Sequence, residues 1–267
     1  MVEFVNISKT FPDGTIAVDK VSFTAPEKML TVILGPSGAG KTTLLRSVNR
    51  LVQPTSGKID IDGVEVTARN LKQIRTDVGM IFQQFNLVGN LSVLLNVLSG
   101  YLGTHQKWWS NLYLFPRAYR LKALDLLDRV GLLDKAYKRA DELSGGEQQR
   151  VGIARALMQE PKVLLADEPV ASVDPLTSQG ILALLKELCR EKNLTVLCSL
   201  HQVDLALQFS DRIIGITDGK IILDEKSSLL DMEKLKNIYD TKSQGLFFGP
   251  TTESASDQAV INWDRLN

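Results

Sequence analysis

The run Gly35-Pro36-Ser37-Gly38-Ala39-Gly40-Lys41-Thr42 is rich in glycine and ends in a lysine and a hydroxyl. It follows the apolar stretch Leu30 to Leu34 and precedes Leu44, Leu45 and Val48, so it reads as the turn from a buried strand into a helix. At such a turn the glycines let successive backbone N–H groups converge on a phosphate. The helix N-terminus adds a favourable dipole, and Lys41 neutralises the phosphate oxygens. Thr42 would offer its hydroxyl to Mg²⁺, and Thr43 belongs to the same phosphate-facing turn. A second apolar run, Val163 to Ala166, ends in Asp167, Glu168 and Pro169. At the carboxyl end of a parallel sheet, Asp167 would hold Mg²⁺ through its water shell, and Glu168 would polarise or deprotonate an attacking water. The plainer reading of that pair is an acidic first turn of a following helix.

Leu143-Ser144-Gly145-Gly146-Glu147-Gln148-Gln149-Arg150 is the most informative segment. Ser144 and Glu147 have capping-box spacing ahead of apolar Val151, Ala154, Leu157 and Met158. Capping alone does not call for two consecutive glycines in a first turn, where each costs roughly 1 kcal/mol relative to alanine. Bare N–H groups that approach an anion closely would explain them.

An α/β fold is needed to bring these groups together. Val163 to Ala166 and Leu194 to Leu200 resemble Leu30 to Leu34 as short continuous apolar strands of a parallel sheet. Between them lie helical faces: Leu44, Leu45, Val48, Leu51 and Val52, then Leu121, Leu124, Leu127 and Val130 ahead of Gly131. The pairs Asp13-Gly14, Asp62-Gly63 and Asp218-Gly219 each read as a two-residue hairpin, placing antiparallel strands at both ends of the core. The expected architecture is a phosphate-loop NTPase core with a parallel sheet, an N-terminal antiparallel β subdomain and an α-helical insertion around 86–160. Residues 1–240 form this unit, and 241–267, polar but closing on Val260, Ile261 and Trp263, form a tail without an assigned role.

Composition narrows the function. The chain has 267 residues, 44% hydrophobic, with 31 Lys+Arg against 31 Asp+Glu, so no global charge draws it to nucleic acid or anionic lipid. Cys189 and Cys198 suit neither a disulfide framework nor a secreted setting and read as reduced core residues. The first residues do not read as a signal peptide, and no run of about 18 apolar residues suggests a spanning helix. From Val78 to Gln106 there is no Asp, Glu, Lys or Arg, yet Gln83, Gln84, Asn86, Asn90 and Asn96 make the stretch unfit for lipid. It reads as buried or partner-facing.

The order of these motifs, a phosphate loop, then LSGGEQQR, then LLADEP, resembles the ATP-binding subunit of an ABC transporter over roughly residues 2–240. The resemblance implies ATP and Mg²⁺ as ligands and a head-to-tail dimer. In it, Ser144, Gly145, Gly146 and Glu147 of one copy close over the ATP held by the phosphate loop of the other. It also implies that Phe11 stacks on adenine, the alternative being a core aromatic. Gln83 would reach Mg²⁺ and the attacking water, with adjacent Gln84 as the other candidate, and Asp174 would lie in a loop crossing the dimer interface. His201 follows the strand Leu194 to Leu200, on the sheet edge shared by Asp167 and Glu168, within reach of a γ-phosphate.

No fused membrane domain and no C-terminal regulatory domain are expected, so the resemblance implies separate permease subunits, docking on the uncharged stretch, and a peripheral position on the cytoplasmic face of the inner membrane. The segments Trp108 to Pro116, Val130 to Asp141 and Leu200 to Leu205 are most similar to the ATP-binding subunits of phosphonate importers. That likeness implies a periplasmic or extracellular solute-binding protein and a phosphonate, phosphite or phosphate as solute. The other readings are an importer of polar amino acids or a metal complex, a soluble ABC ATPase of repair or translation, and an inactive nucleotide-binding regulator. Lys41, Asp167, Glu168 and His201 together argue against the last.

Overall fold

A computed structural model describes residues 1–103, 115–171, 173–233 and 235. Most of the Trp108 to Pro116 segment, Ser172 and the tail beyond Thr241 lie outside the described residues. The chain opens with β1 (Val2–Thr10), β2 (Ile16–Ala25) and β3 (Leu30–Leu34), followed by α1 (Lys41–Val48), β4 (Ser56–Ile61) and β5 (Val64–Glu65). After α2 (Leu71–Asp77) and β6 (Val78–Ile81) come α3 (Val93–Ser99), α4 (Arg117–Arg129) and α5 (Gly145–Met158). Strand and helix then alternate through β7 (Val163–Asp167), α6 (Pro175–Glu191), β8 (Thr195–Leu200), α7 (Val203–Phe209), β9 (Arg212–Thr217) and β10 (Lys220–Lys226).

The described strands make two sheets, an antiparallel one of order β2-β1-β4-β5 and one of order β10-β9-β3-β8-β7-β6. The second is parallel except where β10 returns along β9. Because side chains alternate across a strand, the parallel sheet feeds two cores. Val32, Leu164, Val196 and Cys198 face the cluster built with α3 to α7, whereas Ile33, Leu165 and Leu197 face α1 and the antiparallel sheet. Each aliphatic side chain fully buried in these layers contributes about 1.5–3 kcal/mol relative to exposure. Stacked this way, the sheet presents the ends of β3, β6, β7 and β8 along one edge.

Two of the three Asp-Gly pairs are two-residue hairpin turns. Asp62 and Gly63 have φ of 50° and 79°, and Asp218 and Gly219 have 48° and 73°, the left-handed pair that matches strand twist. Asp13-Gly14 differs. The Phe11 N–H donates to the Thr15 carbonyl at 2.9 Å and the Asp13 Oδ1 accepts from the Thr15 N–H at 3.0 Å, closing a longer loop.

Two helical faces need correction. α1 stops at Val48 because Asn49 caps it and Arg50 adopts a φ of 51°, so Leu51, 50% exposed, and half-buried Val52 leave the expected face. On α4 the buried stripe is Ala123, Leu126 and Leu127, continued by Val130; at about 100° per residue Leu121 lies opposite that stripe and is 55% exposed. The uncharged stretch likewise divides. β6 and most of α3 are buried, and the fully buried Asn96 is satisfied by the backbone of Val88, Leu91 and Ser92. The loop between them exposes Gln83, Gln84, Asn86, Val88 and Asn90. Both cysteines are free and buried, and burial, with Asp167 and Glu168 nearby, raises the Cys198 thiol far above its ordinary range.

Candidate functional site

Strand register levels the candidate residues. Leu34 pairs with Leu200, Asp167 with Ser199, and Ile81 with Ala166, so Gly35, His201, Glu168 and Gln83 all follow strands that end on one edge. The glycine run connects β3 to α1 for steric reasons. A Cβ on Gly35 would sit 2.2 Å from the Ile216 carbonyl oxygen, and one on Gly40, at φ 99°, would sit 2.1 Å from that of Ala17. Gly40 starts α1 without any side-chain cap, and the first turn contains no acidic residue, so the helix presents bare N–H groups. Pro36, Ser37, Gly38, Ala39 and Thr43 complete the loop and the first turn.

The charged groups on this edge are tied to one another. Lys41, only 4% exposed, donates through Nζ to the carbonyls of Gly35 and Pro36, each at 2.9 Å, and pairs with Glu168 Oε1 at 3.3 Å. Asp167 is fully buried; its Oδ1 accepts from the Thr42 hydroxyl at 2.7 Å and the Ser199 hydroxyl at 3.2 Å. Its Oδ2 accepts from Arg46 Nε at 3.2 Å and pairs with the other end of the Arg46 guanidinium at 3.1 Å. Glu168 takes a φ of 44°, a costly conformation for a residue with a Cβ, and its N–H donates to the Ser199 hydroxyl at 2.9 Å. Among the described residues no group of three or more His, Cys, Asp and Glu side chains could hold a metal unaided. The hard oxygens of Thr42 and Asp167 instead suit a Mg²⁺ that brings phosphate ligands with it.

The second constellation stands at the start of α5. Ser144 accepts from the Glu147 N–H, and Glu147 Oε2 accepts from the Ser144 N–H at 3.0 Å, so the capping box is formed. Lys135 pairs with Glu147 Oε1. That ion pair, followed by the Ser144 N–H, holds the Glu147 carboxyl below its usual range in spite of desolvation. A cavity of 330 Å³ opens here, walled by Ser144, Gly145, Gly146 and Glu147 together with Arg150, Asp174 and Thr177. Asp174 is thus beside the Ser144 turn of its own chain. It also caps α6, accepting from the Thr177 N–H at 3.0 Å; the Thr177 side chain first, and then this N–H, lower its carboxyl pKa. Gly146 has a packing reason beyond anion approach, since a Cβ there would lie 2.4 Å from Thr177 Cγ2. No hydrogen bond or ion pair among the described residues joins this turn to the Lys41–Asp167 edge.

Phe11 lies half-buried in the loop before β2, with Lys9 Nζ 5.2 Å from its ring centre. His201 is half-buried at the edge. Gln83 and Gln84 are both exposed and both line neighbouring cavities of 380 and 500 Å³, so geometry does not separate them.

A family model described as ABC transporter matches residues 18–171. The chain belongs to the ABC transporter family. Curated relatives of this ABC transporter chain include the phosphonates import ATP-binding protein 2 of Trichodesmium erythraeum, 48% identical over 242 residues, covering 90% of this chain and 93% of the relative. The phosphonates import ATP-binding protein of Thiobacillus denitrificans is 50% identical over 238 residues, covering 89% and 92%. A solved dimeric ATP-binding cassette in a post-hydrolysis state, bound to ADP and Pi, superposes with a TM-score of 0.76 at 35% identity, over 85% of this chain and 99% of that one. The architecture expected from the motifs is therefore that of an ABC ATPase cassette. Among the described residues no helix is long and apolar enough to cross a membrane.

Four residues of this ABC transporter chain escaped the motifs. Arg46 follows Thr42 by one helical turn, so its i+4 spacing is a signal that would have found it. Ser199 braces both Asp167 and the Glu168 backbone, a role set by strand pairing that sequence does not display. Arg155, on α5, donates to the carbonyls of Phe85 and Asn86 and so ties the loop after Gln83 to the helix that begins at Ser144. Lys135 reaches Glu147 from a separate turn.

Proposed function

We propose that this chain is the ATP-hydrolysing subunit of an ABC importer that energises uptake of phosphonate, or of the related oxyanions phosphate and phosphite, through separate permease subunits. The observation that carries the reading is the Thr42–Asp167 contact at 2.7 Å beside the Lys41–Glu168 pair at 3.3 Å, a phosphate-binding turn joined to two carboxylates. The 48% and 50% identities to phosphonates import ATP-binding proteins support the solute class. Residues 1–240 act as one nucleotide-binding unit with a helical subdomain at 86–160, and a second copy supplies Ser144, Gly145, Gly146 and Glu147 to each site.

Lys41 leaves the Gly35 and Pro36 carbonyls for the β- and γ-phosphate oxygens of ATP, while the N–H groups of Gly38 to Thr43 cradle the phosphates and Phe11 stacks on adenine. This exchange frees Glu168. Thr42, Asp167 and Gln83 are the residues that would hold Mg²⁺, whose chemistry is neutralisation of phosphate charge. Glu168 accepts a proton from water as the water oxygen bonds to the γ-phosphorus and the bond to the β-bridging oxygen breaks, its electron pair leaving with ADP. His201 donates to the γ-phosphate, and Asp174 reaches the second copy. The exposed Gln83 loop receives the permease, on the cytoplasmic face of the inner membrane, and a solute-binding protein delivers the solute outside.

The test is reconstitution with the permease and solute-binding protein of a phosphonate importer. Methylphosphonate supplied with the binding protein, on the face opposite this chain, should stimulate ATP hydrolysis, and Lys41→Ala should abolish the stimulation. Stimulation by a polar amino acid instead would replace the solute class, and failure to co-purify with any membrane protein would reject a transport role.

A further inference from the structure

Glu147 places a carboxylate in the first turn of α5, on the wall of the 330 Å³ cavity that Ser144, Gly145 and Gly146 also line. In the proposed function this is the surface that meets the triphosphate held by a second copy. A free carboxylate there would repel it, and the partly desolvated setting strengthens the repulsion. Both Glu147 oxygens are committed: Oε2 to the Ser144 N–H at 3.0 Å and Oε1 to Lys135. The pair is 28% and 26% exposed, so solvent screens it only in part.

The two bonds differ in purpose. The Ser144 N–H contact completes the capping box within α5 and needs nothing outside it. Lys135 arrives from the short turn Leu133–Lys135 after α4 and brings a positive charge that capping does not require. The other carboxylate on the cavity wall, Asp174, is engaged by the Thr177 N–H at the start of α6. Arg150, also on the wall, has no carboxylate partner among the described residues and bonds the Val130 carbonyl at 3.4 Å. With Glu147 cancelled by Lys135, Arg150 and the positive end of the α5 dipole leave the wall attractive to an anion.

We infer that Lys135 is a positioning residue that cancels the charge of Glu147, so that the Ser144–Glu147 turn accepts the phosphates of ATP bound to a second copy of this chain. The inference rests on the shared-site reading above and adds to it the group that sets the charge of the accepting half.

The full chain carrying Glu168→Gln is titrated with ATP and Mg²⁺, and dimer formation is followed by light scattering at low and high salt. Lys135→Met raises the ATP concentration at half-maximal dimerisation by about tenfold at low salt and by less at high salt. Adding Glu147→Gln to Lys135→Met returns the midpoint to within about threefold of its starting value, because the uncancelled charge is gone. A role in merely anchoring the 133–135 turn gives the opposite result, since removing the second partner cannot restore a lost contact. A misfolded Lys135→Met chain would likewise not be restored. Equal midpoints for the single and double variants, or no change with Lys135→Met, overturn the inference and leave the shared site standing. If the chain with Lys135 intact forms no dimer with ATP, the shared site and the inference fall together.

Discussion

The Lys41–Asp167 edge and the Ser144–Glu147 turn carry the same ligand chemistry in opposite states. On the first, the charged groups answer one another: Lys41 holds Glu168, and Arg46, Thr42 and Ser199 hold Asp167, in a setting where Asp167 is fully buried. At the second, the helix N-terminus and Arg150 face an open cavity, and the internal pairs stop at its wall. In the proposed function the edge exchanges partners when nucleotide enters, and the turn is half a site whose complement lies on a second copy. On that proposal a chain with both is inert alone and competent when two copies meet head to tail.

The largest effect that would break this contrast is chemical. Glu168→Gln should lower phosphate release by about 10²–10⁴-fold, the usual worth of a general base, while ATP still drives dimerisation. Release at the parent rate would remove Glu168 from its role. Next in size is the charge balance of the edge. Arg46→Met leaves buried Asp167 short of a partner and should destabilise the nucleotide-free chain by about 3 kcal/mol, the low end for a broken buried pair because Arg46 is 39% exposed. Chemical denaturation in the absence and presence of ATP-Mg²⁺ would measure it, and an equal loss in both conditions would contradict the exchange of partners.

A smaller effect probes the turn. Gly146→Ala should cost about 1–2 kcal/mol through overpacking against Thr177 Cγ2, and Thr177→Ser, which deletes that methyl, should recover most of it in thermal unfolding. If the recovery fails, Gly146 is glycine for the nucleotide alone. The smallest effect is in acid. The Glu147 carboxyl is depressed below its ordinary value of 4.5, so its contribution is present above that value and is lost as pH falls through the depressed one. The small Tm difference between the native chain and Lys135→Met should therefore hold at neutral pH and close as pH falls below 4.5 and through the depressed value. A difference constant with pH would detach Lys135 from Glu147.

Much of this was legible in the residues because it is local. A phosphate loop needs glycine where a Cβ would strike a carbonyl, as at Gly35 and Gly40, and those requirements are written in consecutive residues. The capping box of Ser144 and Glu147 is equally local, a matter of spacing on one helix. Where the structure departs from these expectations, the local backbone path decides. The left-handed Arg50 ends the helix before Leu51, Leu121 lies opposite the buried stripe, and a longer loop closed by Asp13 and Thr15 stands in place of a two-residue Asp13-Gly14 turn.

By itself the sequence determined the α/β class, the order of the motifs and the chemical kinds present at each, because types and spacings along one chain suffice for backbone N–H groups, a cation and two carboxylates. Tertiary structure alone decided which charges cancel. Asp167 meets Ser199 through strand register, Lys41 meets Glu168 across the sheet edge, and Glu147 meets Lys135 from a different turn. Electrostatic energy depends on distance and burial, and neither is a property of position along the chain.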